Sequence, residues 1–241
     1  MSAEVSAERR AELEERLHAV RERIAAACTA AGRAPGEVEL LAVTKTIPAA
    51  DVVALAELGL RDFGENRAQE AAQKVAEIRE RRPDLDLRWH FIGGLQRNKV
   101  RVVTPWVTRV ETVDSARLAA ALDRAAAERG TPLPVLIQYS VDGDPARGGV
   151  DDAGLLDLAA QVTQARGLVL EGLLSVAPLG ADDEESFAAI AAAGSRLRAA
   201  HPGATVLSAG MSGDLEVAIR HGSTVARVGT ALVGDRRLTS R

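Results

Sequence analysis

One pattern limits what this chain can fold into more than any other. A short apolar or β-branched run recurs eight times, and polar turns and Ala-rich helical segments separate the runs. The runs lie near Val38–Val43, Arg61–Phe63, Trp89–Ile92, Val107–Glu111, Val135–Ser140, Leu168–Leu174, Thr205–Ser208 and Thr224–Val228. Helical patterns separate them over Pro48–Leu58, Arg67–Arg81, Gln96–Val102, Ser115–Arg129, Ala153–Ala165, Glu184–Ala200 and Met211–His221. Strands that alternate with helices pair in parallel, and eight such units with nothing left over predict a single (β/α)8 TIM barrel across residues 1–241. Spacing alone leaves an open doubly wound sheet as the competing topology. Upstream, Leu13, Leu17, Val20, Ile24 and Cys28 recur at steps of three and four among charged residues. They mark one face of an additional N-terminal helix ending near Gly32.

Composition narrows the function. Hydrophobic residues make up 46% of the chain but aromatics only 2%, so the core is built from aliphatic side chains, as suits helices on a parallel sheet. A net charge of −4 with interspersed signs gives no basic field of the kind nucleic acid or an anionic membrane requires. The single cysteine, Cys28, excludes an intrachain disulfide framework and a cysteine-cluster metal site. No apolar run has the length of a signal peptide or membrane span, and the chain reads as cytoplasmic.

Lysine is scarce. Of the 30 basic residues only Lys45, Lys74 and Lys99 are lysine. An amine can lose its proton and attack a carbonyl, which a guanidinium cannot do. Lys45 follows the first strand, at the barrel end where active sites form, and is the candidate Schiff-base lysine; a structural ion pair is the plain alternative. The turns Ser208-Ala209-Gly210-Met211-Ser212-Gly213 and Arg227-Val228-Gly229-Thr230 combine hydroxyls and glycines ahead of helices, a composition suited to phosphate. Ser208 and Ser212 as simple caps of the helix Met211–His221 are the competing reading. A reactive lysine facing a phosphate cradle fits either pyridoxal 5′-phosphate or a sugar-phosphate aldolase. Arg227, two residues before Gly229 on one strand, points into the barrel. An arginine facing a pyridine nitrogen would keep it unprotonated, although phosphate or carboxylate pairing would also occupy it.

The ordered motifs Thr44-Lys45, Phe63-Gly64-Glu65-Asn66, Trp89-His90-Phe91-Ile92-Gly93, Leu95-Gln96 with Asn98-Lys99, Ser208-Ala209-Gly210-Met211-Ser212 with Asp214, and Arg227-Val228-Gly229-Thr230 resemble those of the pyridoxal phosphate homeostasis proteins, the YggS or PROSC family. The resemblance runs from the first helix to Gly234. It implies an alanine-racemase-type barrel with pyridoxal 5′-phosphate covalent on Lys45. Ser208, Gly229 and Thr230 would then hold the phosphate, with Arg227 at the pyridine nitrogen and Asn66 beside the cofactor. Three features depart from the family: Arg67 replaces an aromatic, Gly94 a frequent histidine, and Asp142–Arg147 a lysine-containing loop.

Alanine racemases use two opposed bases, the second a tyrosine from a β-rich domain that has no counterpart in this sequence. Tyr139, the only tyrosine, reads as core or rim. The expectation is therefore a carrier that buffers the cofactor and delivers it transiently to apo-enzymes, not an efficient enzyme. A racemase or decarboxylase of low activity is the alternative. Without the dimerising domain the chain is expected to be a monomer. His90 reads as a satisfied core histidine, Lys74 as structural and Lys99 as a solvated lysine or a guide for an anion.

Overall fold

The computed structural model describes residues 5–144 and 146–234. Pro145, inside the departing Asp142–Arg147 loop, and residues 235–241 lie outside the described residues. Eight parallel strands close into a barrel in sequence order: β1 Glu39–Val43, β2 Asp62–Glu65, β3 Arg88–Phe91, β4 Arg109–Val113, β5 Leu133–Tyr139, β6 Leu168–Ser175, β7 Val206–Ser208 and β8 Val225–Val228. β1 pairs with β8, with Ala42 opposite Val228, and the open-sheet alternative is thereby removed.

Strand alternation sends side chains to two places. Outward-facing Ala42, Phe63, Trp89, Phe91, Val110, Val135 and Ile137 join a continuous apolar shell with the helices, its few aromatic side chains among the largest fully buried ones. The barrel interior holds buried Leu41, Leu136 and Val225, and with them the charged side chains of His90, Arg109, Glu111 and Arg227.

The helices form the outer ring: α1 Ala7–Ala30, α2 Ala49–Glu57, α3 Ala68–Arg81, α4 Val100–Val103, α5 Ala116–Arg129, α6 Asp152–Gln164, α7 Asp183–Ala200, α8 Leu215–Arg220 and α9 Thr230–Val233. Ser6 caps α1 by accepting the Arg9 N–H, and Leu13, Leu17, Val20, Ile24 and Cys28 are all buried, as their spacing predicts. The helix packs against α8, α9 and α2.

β2 ends two residues later than expected and β5 begins two residues earlier, and three further expected bounds shift for local reasons. The fourth strand begins at Arg109 because the Val107 N–H is still bonded to the Val103 carbonyl of the preceding turn. The segment Gln96–Val102 divides into a 3-10 turn, Arg97–Lys99, and the short α4. The helix expected over Met211–His221 starts only at Leu215, since Asp214 Oδ1 accepts the Met211 N–H and holds 211–214 as a turn. Neither Ser208 nor Ser212 caps it. The one-turn helix α9 has no periodicity for the sequence to display.

Candidate functional site

β1 ends at Val43, and Lys45 stands two residues beyond it, exposed at the C-terminal mouth of the barrel. Its backbone is set by its neighbours. Thr44 is fully buried: its N–H donates to the Gly64 carbonyl (3.0 Å) and its hydroxyl donates to Glu65 Oε1 (2.7 Å). Its own carbonyl accepts from the Ile47 N–H (3.2 Å) and from Lys74 Nζ (2.8 Å). On the other side Thr46 has φ +79°, and it is the only non-glycine among the described residues in the left-handed region. For a β-branched residue that conformation costs roughly 1–3 kcal/mol, and such strain concentrates at functional sites.

Strand register surrounds Lys45 with the other expected residues. Val43 pairs with Gly64, so Asn66 on the β2 side comes level with Lys45. Ala42 pairs with Val228 on the other side, which places Gly229 beside Val43 and Thr230 beside Thr44, just below Lys45; a β-carbon on Gly229 would lie 3.5 Å from that of Val43. Thr230 opens α9 and is exposed, and the first amides of any helix have no partner inside it. Asn66 is half-buried, and its Oδ1 is a buried acceptor with no hydrogen-bond partner among the described residues. Close approach at this rim depends on glycine. A side chain on Gly93 would meet the Asn66 carbonyl at 2.3 Å.

Ser208 and Arg227 lie together in the barrel floor. Arg227 Nη1 donates to the Ser208 carbonyl and to its hydroxyl oxygen (2.9 Å), and Nη2 donates to the Ser175 carbonyl (2.7 Å). The Ser208 hydroxyl donates in turn to Glu111 Oε2 at 2.6 Å. A serine has one proton to give, and this one goes to Glu111. In this arrangement the Ser208 hydroxyl links Arg227 to Glu111. Burial pulls the Arg227 guanidinium below its ordinary value, and the charges of Glu111 and Asp214 act against that pull.

Glu111 is the hub of an ionic chain that crosses the barrel. Its Oε1 meets His90 Nδ1 at 2.7 Å and Arg109 Nε at 3.3 Å. His90 Nε2 reaches Asp62 Oδ1 at 3.2 Å, and Arg88 pairs with Asp62 near the opposite face. Burial alone would raise both carboxyl groups. The hydrogen bonds and charges of His90 and their arginine neighbours outweigh it, holding Glu111 at about 2 and Asp62 at about 2. Burial would lower His90, but its bonds to the two carboxylates outweigh that and raise it. His90 is thus a satisfied core histidine, as expected, within a larger network.

From sequence, Thr44 and Glu65 stand within the motifs without a role of their own, and Glu111 and Arg109 are not singled out. An available signal was the Arg109-x-Glu111 spacing, which puts two charges on one face of an apolar strand. The other two lysines are placed differently from Lys45. Lys74 is 11% exposed and pairs with Glu65 Oε1 at 2.7 Å. Lys99, half-buried, lines a cavity of about 310 Å³ with Asn66, Arg67, Gly94 and Gln96. Tyr139 faces the helical layer: its hydroxyl donates to Asp152 of α6, and its phenol is pushed up to about 12, by burial first and then by that carboxylate. In the departing loop, Arg147 donates to the Val176 carbonyl beyond β6 and pairs with Asp142. No described helix is long and apolar enough to cross a membrane.

Residues 16–237 match the family model of the alanine racemase N-terminal domain. The pyridoxal phosphate homeostasis protein of Mycobacterium bovis is 47% identical over 257 aligned residues covering the whole of both chains. The Escherichia coli protein of the same name is 39% identical over 91% of this chain and 95% of its own. Among solved structures, PipY of Synechococcus elongatus with PLP bound superposes with a TM-score of 0.79 at 37% identity, over 92% of this chain and all of that one. By full-length similarity and by fold, the chain belongs to the pyridoxal phosphate homeostasis protein family, built on the alanine racemase N-terminal barrel.

Proposed function

We propose that this protein binds pyridoxal 5′-phosphate as a Schiff base on Lys45 and serves intracellular homeostasis of that cofactor, holding it and passing it to apo-enzymes. The observation that carries this reading is the surroundings of Lys45: an exposed amine on a fixed strand end, level with Asn66 on one side and just above the Gly229-Thr230 turn on the other. The site's chemistry fits the group. Pyridoxal phosphate supplies an aldehyde for an amine, a phosphate for backbone N–H groups and a ring with polar substituents. The unmet acceptor on Asn66 calls for a donor that a polar ligand would provide. The Gly229-Thr230 turn would hold the phosphate, and Ser208 would act by bracing Arg227, whose guanidinium would face the pyridine nitrogen.

Lys74 is a poor anchor because its amine is already committed to Glu65 and Thr44. The relatives named for cofactor homeostasis and the cofactor-bound neighbour support holding over turnover. The side-chain placement agrees: Tyr139 is turned toward α6, away from the mouth, and is unsuited to serve as a second base. The sugar-phosphate aldolase reading gains no support from these relatives.

The test is direct. Purified protein mixed with pyridoxal 5′-phosphate should develop visible absorbance, and borohydride reduction followed by peptide mass spectrometry should place the label on Lys45. Lys45→Ala should abolish both signals. Label on Lys99 or Lys74 with none on Lys45 would overturn the assignment. Holo-protein incubated with L-alanine in deuterium oxide should exchange its α-proton far below ordinary enzymatic rates, and turnover at such rates would defeat the carrier reading.

A further inference from the structure

Lys74 and Glu65 are not needed by the reading above, yet they touch the residue next to its anchor. Each has an ordinary explanation as half of a buried ion pair. Their contacts go further. Lys74 Nζ divides its protons between Glu65 Oε1 (2.7 Å) and the Thr44 carbonyl (2.8 Å), and the same Glu65 oxygen accepts the Thr44 hydroxyl (2.7 Å). That carbonyl belongs to the peptide bond joining Thr44 to Lys45. It also accepts the Ile47 N–H, which closes the turn containing left-handed Thr46. A chain that uses arginine for nearly all its cations keeps lysine here. A compact ammonium can give protons to two acceptors in different directions, whereas a guanidinium is confined to a planar fork.

We infer that Lys74 and Glu65 are positioning residues: a clamp from α3 and β2 that holds the strained Thr44–Ile47 turn closed and so fixes where Lys45 presents its amine. The strain at Thr46 and the clamp are two halves of one device. A turn that would relax if free is pinned at its carbonyl by a buried charge. The consequence for cofactor retention rests on the Schiff-base reading of Lys45; the closing of the turn does not.

The test begins with cofactor-free protein. Hydrogen exchange at the Ile47 amide, the donor of the turn, should quicken about tenfold in Lys74→Met, while the amide of Ile137 in the remote β5 keeps its rate. Glu65→Gln combined with Lys74→Met removes both charges together, leaves no buried ion unpaired and should show the same local opening in a folded protein. Thr46→Gly added to Lys74→Met removes the strain and should bring Ile47 exchange back toward the wild-type rate. In protein loaded with pyridoxal 5′-phosphate, Lys74→Met should release the cofactor on dilution about tenfold faster, and Thr46→Gly should again restore retention. Lower melting temperature with unchanged Ile47 exchange in both Lys74 variants would overturn the clamp and leave a merely structural pair. If Lys45→Ala still forms the Schiff base, the function reading fails instead, and the exchange result on cofactor-free protein judges the clamp separately.

Discussion

Arg227 shows how one side chain can require several others. Its guanidinium is buried, and among the described residues no carboxylate bonds to it directly; it rests on two carbonyls and on the Ser208 hydroxyl. A buried cation with only neutral ligands is costly unless a countercharge lies close by. Glu111 supplies that charge through Ser208. Glu111→Gln would leave Arg109, His90 and Arg227 short of a negative partner, and it should lower folding stability by about 3–5 kcal/mol in denaturant titration. Ser208→Ala keeps the carboxylate and removes one bridging hydroxyl, so about 1–3 kcal/mol is expected. Equal losses in the two variants would mean that Ser208 carries the whole effect and that the charge of Glu111 does not reach Arg227. The link between Ser208 and Glu111 is also one that no stretch of sequence could display. From sequence, a serine before a glycine turn reads as a phosphate ligand; the partner that takes its proton, Glu111, is 97 residues away and enters only when the barrel closes.

At the scale of elements the sequence was far more legible. All eight strands and the N-terminal helix were readable, because each is specified locally by periodicity and by glycine or proline at its ends. Pro48 and Gly59 bracket α2, and the face of α1 formed by Leu13, Leu17, Val20, Ile24 and Cys28 is buried throughout. What was not legible turns on single local hydrogen bonds that leave no periodic signal, or on segments too short to show a period: the two-residue shift of β4, the late start of α8, the single turn of α9. The site divides the same way. Lys45, Asn66, Gly229 and Thr230 sit at strand ends, and barrel topology delivers strand ends to one mouth. Glu65 and Lys74 act through side-chain contacts between a strand and a helix, which no local pattern announces, and of the Glu111 contacts only the spacing to Arg109 is local. Because α1 seals the ring against α8, α9 and α2, its core face should matter as much as that of any strand. Leu17→Ala, at a site 2% exposed, should cost about 2–5 kcal/mol, read as a lower denaturant midpoint with the slope unchanged.

For the whole molecule, the ionic chain from Arg88 to Arg227 replaces part of what would otherwise be an aliphatic barrel interior, and it makes stability a function of pH. Glu111 and Asp62 are held at about 2 in the folded protein, against ordinary values of 4.5 and 3.8. A carboxyl group with a depressed value stabilises the fold fully above its unfolded value, and the contribution disappears as pH falls through the folded one. The loss is therefore expected between about pH 4.5 and pH 2 and, with both groups bound to the same imidazole, on the order of a few kcal/mol in all. His90 works in the opposite direction. Its raised value favours the protonated imidazole in the fold, so its contribution is complete below pH 6.5 and declines as pH rises past the folded value. Stability should consequently be greatest in the mildly acidic range. Melting temperatures followed by circular dichroism from pH 2 to pH 9 should fall steeply on the acid side and gently on the alkaline side. Asp62→Asn should flatten the acid limb, because it removes one of the two carboxyl groups that must be protonated, and it should weaken the alkaline limb as well by taking a partner from His90. An acid limb unchanged by Asp62→Asn would show that exposed ion pairs at the surface, and not the chain through the barrel, set the response to acid.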